Sequence, residues 1–169
     1  MKNATFKFSV FLILTISSSS FAQTDLSSQE IKDMKYMLEE EKVARDVYEY
    51  LDTKWDLRVF NNIKQSEQRH MNMIESLLNS YKTTYQLSDE RGVFYNEQLQ
   101  TLYNSLIKKG SLSKRDALEV GKLIEVTDIE DLEKASRSTD KEDIKDVYSK
   151  LIFASNNHLN AFNRNLSRF

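Results

Sequence analysis

Two histidines and four acidic residues lie at positions of this sequence where apolar side chains are expected. The chain has only two histidines, and both belong to this set. Glu67 precedes His70 by three residues, a spacing that lets both side chains of one helix face reach the same metal ion. Carboxylate oxygens and imidazole nitrogens are ligands for iron and manganese, and zinc also accepts them. The candidate metal ligands are Glu41, Glu67, His70, Glu125, Asp128 and His158.

Each candidate ligand interrupts an apolar stripe that repeats every three or four residues. This spacing keeps side chains on one face of a helix. In the first stripe, for example, Glu41 stands between Leu38 and Ala44, and Tyr48 follows. The four stripes run through Met34–Leu51, Phe60–Leu77, Leu118–Ala135 and Ile144–Phe162. We therefore expect the six residues to meet in the middle of a helical core.

Charge balance favours a pair of cations at this point. Burying an unpaired carboxylate costs several kcal/mol or forces it to bind a proton. Two divalent cations would match the four negative charges, and two neutral imidazoles would complete the ligand set. The alternatives are that Glu41, next to two other glutamates, is a solvated surface residue and that the histidines are structural core residues. The six residues together favour the metal site.

The elements that must position these residues are long helices. The chain contains no proline and only three glycines, so helices can continue without interruption. The pattern predicts helices over about 28–55, 59–81, 97–108, 114–135 and 141–166, with Ser113 and either Thr139 or Asp140 as N-caps. Gly110 is predicted to end the short third helix. This predicts an all-α fold, a ferritin-like four-helix bundle with a short extra helix in the crossover between its second and third long helices.

The first 22 residues differ from the remainder. Lys2 and Lys7 precede the apolar run Phe8–Ile16, and Ser20 and Ala22 form a small-residue cleavage signal. These features predict a signal peptide over residues 1–22 and a helical domain over residues 23–169. The alternative, a membrane anchor, would need about 20 apolar residues. We therefore expect an exported protein, periplasmic or extracellular, without a stable anchor after cleavage.

Composition limits the remaining function classes. The net charge is −2, and basic residues form no cluster free of acids, so a nucleic-acid surface is not expected. Cysteine is absent, which excludes disulfides and thiolate metal sites within this chain. The sequence leaves the oligomeric state open.

Three segments resemble the rubrerythrins of the ferritin-like superfamily. Glu41–Tyr48 is similar to their first-helix pattern E-x-x-A-R-x-x-Y, and Phe60–His70 to the second helix with its E-x-x-H pair. Glu125 and Asp128 resemble two third-helix acids spaced by three. Over nearly the whole mature chain, the motifs also resemble the bacterial ferritin-like family known as domain of unknown function 2202. The resemblance implies the fold and the di-metal site, and hardly an activity.

One position departs from the rubrerythrin pattern. A second Glu-x-x-His motif is usual on the fourth helix of those proteins, but Ser155 stands three residues before His158. Asp128 could replace the missing carboxylate from the neighbouring helix. Otherwise one metal position would be weak.

These observations lead to three functional hypotheses. The first is a di-metal oxidoreductase or oxidase that acts on oxygen or peroxide with iron, manganese or a mixed pair of metal ions.

 Two metal ions bridged by carboxylates can hold and reduce an O–O bond. Tyr48 is a candidate catalytic residue that could donate a hydrogen bond or pass a proton or electron, and core packing is its alternative role. The chain contains no rubredoxin-like cysteine module, which excludes an in-chain electron donor of that type, and an external electron donor is a candidate partner.

The other two hypotheses involve no turnover. The second is an exported protein that binds or handles iron or manganese. The third is a helical interaction module that retains the polar residues only for stability.

Overall fold

The computed structural model describes residues 25–169, and the segment interpreted as a signal peptide lies outside these residues. Within them the chain forms five α-helices and no strand, which confirms the all-helical prediction. None of these helices combines the length and apolarity needed to cross a membrane. The helices are α1 (Ser28–Trp55), α2 (Arg58–Ser80), α3 (Glu97–Gly110), α4 (Lys114–Arg137) and α5 (Glu142–Leu166).

Side-chain caps fix the starts of two long helices. Ser27 and Glu30 form a capping box at α1, in which each side chain bonds the other residue's backbone N–H. Ser113 caps α4 as predicted, and its hydroxyl accepts a hydrogen bond from the backbone N–H of Asp116. These bonds satisfy backbone donors that have no partner within the helix.

Two helix boundaries differ from the prediction in detail. The N-cap of α5 is Lys141, one residue after the later of the two predicted caps, Thr139 and Asp140. Gly110 is the last residue of α3, but it does not adopt the left-handed backbone conformation that makes glycine common at helix ends. A side chain there would collide with Leu51, because an added Cβ would lie 2.8 Å from its Cδ2. Close packing explains this glycine.

The four long helices pack in a ring in which α1 and α5 each contact both α2 and α4. Their apolar side chains form two separate clusters. The Phe162 cluster joins the C-terminal half of α1 and α5 to the N-terminal half of α2 and α4. The Tyr148 cluster joins the opposite halves of the same helices. Helices α2 and α4 therefore run in the same direction, antiparallel to α1 and α5.

The parallel arrangement of α2 and α4 requires a crossover along the length of the bundle. Residues 81–113 form this connection, and its helix α3 packs against α1 and α4. A short helix in this connection was predicted from the sequence.

A buried ion pair on α1 holds the crossover in place. The ammonium group of Lys42 donates to Asp46 Oδ2 at 2.7 Å and to the carbonyl oxygens of Glu90 at 2.8 Å and Val93 at 3.2 Å. The same aspartate oxygen accepts a hydrogen bond from the backbone N–H of Gly92 at 2.9 Å. Both charged side chains are fully buried. The ion pair therefore gives hydrogen-bond partners to backbone N–H and carbonyl groups of the crossover loop where the loop packs against α1.

Candidate metal centre

The candidate ligands occupy a polar layer between the two apolar clusters. On α1, Glu41 lies between Leu38 of the Tyr148 cluster and Ala44 of the Phe162 cluster. On each of the other three long helices, the candidate ligands likewise lie between residues of the two clusters. The acids of the layer are at most 4% exposed, and the less buried histidine side chain, that of His158, is 12% exposed. All six predicted residues therefore lie inside the bundle, at the midpoints of four helices.

Five of the six residues form two groups that could each hold a metal ion. Glu41, Glu67 and His70 make up one group, and Glu67, Glu125 and His158 make up the other. Within each group, one ligand atom from every residue lies within 4.8 Å of the others. Glu67 is common to both groups, as a bridging carboxylate would be.

The distances place the two oxygens of Glu67 against different histidines. Its Oε2 lies 2.8 Å from His70 Nδ1, and its Oε1 lies 3.0 Å from His158 Nδ1. Glu41 Oε2 is 3.2 Å from the first imidazole, and Glu125 Oε2 is 3.4 Å from the second. The two imidazole rings are stacked with centroids 5.7 Å apart. The arrangement is approximately symmetric about Glu67.

Several buried polar atoms of this layer have no hydrogen-bond partner among the described residues. They are Glu41 Oε1, Glu67 Oε1 and His158 Nδ1. The last two atoms are close, but their orientation is not that of a hydrogen bond. Buried polar atoms without partners are costly, and cations would satisfy oxygen and imidazole donors of this kind. The residues present therefore fit a pair of metal ions.

Asp128 is buried in the same layer but lies outside both groups. Its Oδ2 accepts a hydrogen bond of 2.6 Å from the hydroxyl of Ser155. Burial is the main reason that its pKa rises to about 7, and the charge of Glu67 adds to the rise. The serine that departs from the family pattern thus holds the carboxylate that was predicted to replace the missing one. Direct ligation by Asp128 stays a prediction.

Burial and mutual repulsion shift the pKa values of the carboxylates in the layer. Burial raises the pKa of Glu41 well above its usual value. Burial and the charge of Glu67 raise the pKa of Glu125 to about 8. Burial would also raise the pKa of Glu67, but its contacts with His158 and His70 outweigh burial and lower the pKa to about 2. Without cations, the central carboxylate therefore remains charged while its neighbours tend to hold protons.

The pKa values of the two histidines are raised, although burial alone would lower them. Burial lowers the pKa of His70, but the charges and hydrogen bonds of Glu41 and Glu67 outweigh it and raise the pKa to about 11. In the same way, Glu125 and Glu67 raise the pKa of His158 to about 9. Each imidazole ring therefore carries a proton on both of its nitrogens at neutral pH in the absence of metal. Each ring would have to lose one of these protons to become a ligand.

Tyr48 combines the two roles that the sequence left open. Its hydroxyl donates a 2.6 Å hydrogen bond to Glu125 Oε1. Its ring, which is fully buried, packs against Phe60 and Phe162 at centroid distances of 5.9 and 5.5 Å. Tyr48 therefore links the apolar cluster to a candidate ligand.

Glu40 is a buried acid that the sequence reasoning missed, because it stands in a run of three glutamates. Its side chain is 5% exposed, and its Oε2 has no hydrogen-bond partner among the described residues. Burial and the charges of Asp128 and Asp131 raise its pKa well above the usual value. A second helical stripe, in which Glu40 follows Tyr36 by four residues and precedes Val43 by three, could have revealed it.

The fold and the polar layer define an all-helical bundle with buried carboxylate and histidine groups that could hold metal ions. The chain belongs to the family described as "Uncharacterized protein domain (DUF2202)", whose model matches residues 30–168. This confirms the family that the motifs indicated.

Comparisons with individual proteins agree with this assignment. The chain is 45% identical to the uncharacterized protein MJ0754 of Methanocaldococcus jannaschii over 152 residues, which cover 89% of this chain and 82% of the relative. The crystal structure of hypothetical protein MJ0754 from Methanococcus jannaschii DSM 2661 superposes with a TM-score of 0.85 at 46% identity, covering 89% of this chain and 86% of that one. A DUF305 fragment from Deinococcus radiodurans matches in fold alone, with a TM-score of 0.66 at 10% identity and coverage of 86% and 100%.

Proposed function

We propose that this protein is an exported, ferritin-like protein that binds a pair of metal ions, for which iron is our first candidate. We propose further that it uses these ions in a redox reaction with oxygen or peroxide. The ferritin-like assignment is supported by the four-helix ring, by the parallel direction of α2 and α4 and by the long crossover between them. The proposal of export rests on the N-terminal sequence pattern.

One observation carries the metal site, namely that Glu67 belongs to two carboxylate–histidine groups at once. In our assignment Glu67 would contribute a ligand to both ions. Glu41 and His70 would complete the ligands of one ion, and Glu125 and His158 those of the other. Asp128 adds a fourth negative charge, so that two divalent cations balance the layer.

The residues around the layer suit a redox role. A bound pair of redox-active ions would supply electrons to an O–O bond. The two apolar clusters exclude bulk water on both sides of the layer, which strengthens the electrostatic interactions within it. The Tyr48 hydroxyl orients Glu125 and is positioned to exchange a proton with it. The chain has no cysteine for a rubredoxin-type electron donor of its own, so our candidate for the return of electrons is an external donor.

Metal content tests the site directly. We expect the purified protein to hold about two ions per chain by elemental analysis, and His70→Ala and His158→Ala each to lose at least one, because each removes a nitrogen ligand. Asn157→Ala is the matched control, since Asn157 is an exposed neighbour on α5. A protein without iron, manganese or zinc, whose two histidine variants melt like the wild type, would refute the metal site.

Turnover is tested separately. The reduced, iron-loaded protein is expected to consume oxygen or hydrogen peroxide, and Tyr48→Phe is expected to consume it more slowly while keeping its metal. Retained metal without consumption of either oxidant would favour the second hypothesis, a metal-handling protein.

A further inference from the structure

A second, outer set of acids lies beside the metal centre. Glu40 on α1 is 5% exposed, and its Oε2 is buried without a hydrogen-bond partner among the described residues. The charged groups that act on it most strongly are Asp128 and Asp131 of α4. Asp128 also acts on Glu41, a candidate ligand. Asp128 itself belongs to the polar layer and therefore links the outer acids to it.

The outer acids connect the layer to the surface. Asp131 is half-buried and, together with Tyr36, lines a groove of about 610 Å³ between α1, α4 and the start of α3. Glu40 follows Tyr36 by one helical turn on α1, and Asp131 follows Asp128 by one turn on α4. A line of carboxylates thus extends from the groove through Asp131 and Glu40 to Asp128.

We propose that Glu40 and Asp131 form an access site through which a divalent cation passes from the surface groove to the metal centre. This inference rests on the proposed function. A buried carboxylate oxygen without a partner is costly unless something satisfies it, and a cation in transit would do so. The acids also give the cation successive oxygen ligands along a path whose walls are otherwise of low dielectric.

A bound water is the alternative explanation for Glu40. A pocket of about 20 Å³, lined on α3 and α4 by Leu106 and Ile124, adjoins its side chain. This volume is sufficient for one water molecule. In that case Glu40 would have a structural role and would not affect the rate of metal uptake.

The rate of loading distinguishes the two explanations. The metal-free full chain is mixed with cobalt(II) chloride in a stopped-flow spectrometer, and cobalt absorbance is followed to completion. We expect Glu40→Gln and Asp131→Asn to load about tenfold more slowly than the wild type, because each removes a carboxylate that the cation would bind on its way to the centre. The final cobalt content should equal that of the wild type. Glu133→Gln is the control and should load at the wild-type rate, because Glu133 is an exposed acid on the same helix as Asp131.

Each other outcome overturns the access site. Wild-type loading rates in both variants would support the bound water. A lower final cobalt content in Glu40→Gln would make Glu40 a permanent ligand. If Glu40→Gln does not fold, as judged by circular dichroism, Asp131→Asn alone decides, because its half-buried side chain is more tolerant of substitution. Failure of the wild type to bind cobalt would instead refute the proposed function itself.

Discussion

In the metal-free protein, changing Glu67 to glutamine is expected to destabilise the fold, whereas the same change at Glu41 is expected to have little effect on stability. The substitution keeps the shape of the side chain and removes its charge. Glu67 contacts both histidines, and its pKa is lowered to about 2. Burial raises the pKa of Glu41 well above its usual value, because the charged form of that carboxylate is disfavoured in the core. Neutralising Glu67 therefore removes a stabilising charge, whereas neutralising Glu41 changes little.

The size of the effect follows from the pKa of Glu67. A pKa that falls from 4.5 unfolded to about 2 folded corresponds to about 3 kcal/mol of folding stability. Because the folded pKa is the lower one, this stability is present above about pH 4.5 and is lost as the pH falls toward 2. For a domain of this length, about 3 kcal/mol is roughly 10 °C in melting temperature. For Glu41→Gln we expect a change below about 1 kcal/mol.

Two measurements at pH 7 test this reasoning. Thermal unfolding in EDTA should place Glu67→Gln roughly 10 °C below the wild type and Glu41→Gln within about 3 °C of it. Elemental analysis after loading should show the loss of both ions in Glu67→Gln, which belongs to both groups, and of one ion in Glu41→Gln. Equal melting temperatures in EDTA would show that the histidines do not stabilise the charge of Glu67. Full metal content in both variants would refute the ligand assignment.

Three further predictions concern proton release, the crossover and core packing. Metal affinity should rise with pH between 6 and 8. Calorimetry at pH 7 in buffers of different ionisation enthalpy should detect at least three protons released per loaded chain, because the pKa values of His70, His158 and Glu125 are raised to about 11, about 9 and about 8. Release of none would contradict the raised values. Lys42→Met should lower the free energy of unfolding by about 3 kcal/mol in urea titrations, because Asp46 Oδ2 and the buried carbonyls of Glu90 and Val93 lose their charged donor. An unchanged midpoint would show that the ion pair does not hold the crossover. Gly121→Ala should destabilise by about 1–2 kcal/mol despite the better helix propensity of alanine, because its Cβ would lie 2.7 Å from Cδ1 of Phe162; additional substitution of Phe162 by leucine should recover part of the loss.

Helical periodicity was sufficient to predict the main elements and the polar layer. The stripes through Glu41, Glu67 and Glu125 place one acid at the middle of each of three helices, and these acids are buried where the stripes predicted. The start of α4 after Ser113 was also predicted correctly, because serine is a strongly preferred N-cap residue and its side chain bonds the backbone three residues later. Such features depend on spacing within a single helix, and the sequence contains that information directly.

Contacts between distant segments could not be predicted in this way. Lys42 is buried because the crossover loop around Glu90 folds over it, and the two residues are 48 positions apart. Glu39 is also buried, and its carboxylate accepts hydrogen bonds from the backbone N–H groups of Tyr95 and Asn96 at the start of α3. In the sequence these charged residues resemble an ordinary solvated run. Only the path of the crossover distinguishes them from surface residues.

The polar layer also divides the interior of the molecule into two hydrophobic halves, which are joined by the four helices and by the half-buried Tyr36. The joint between the halves therefore depends on ion pairs and, in our proposal, on cations. A chain that has not acquired its cations would be least stable at the polar layer, where opening would expose the midpoints of all four helices to proteolysis. Supply of metal would then decide how long a newly made molecule survives.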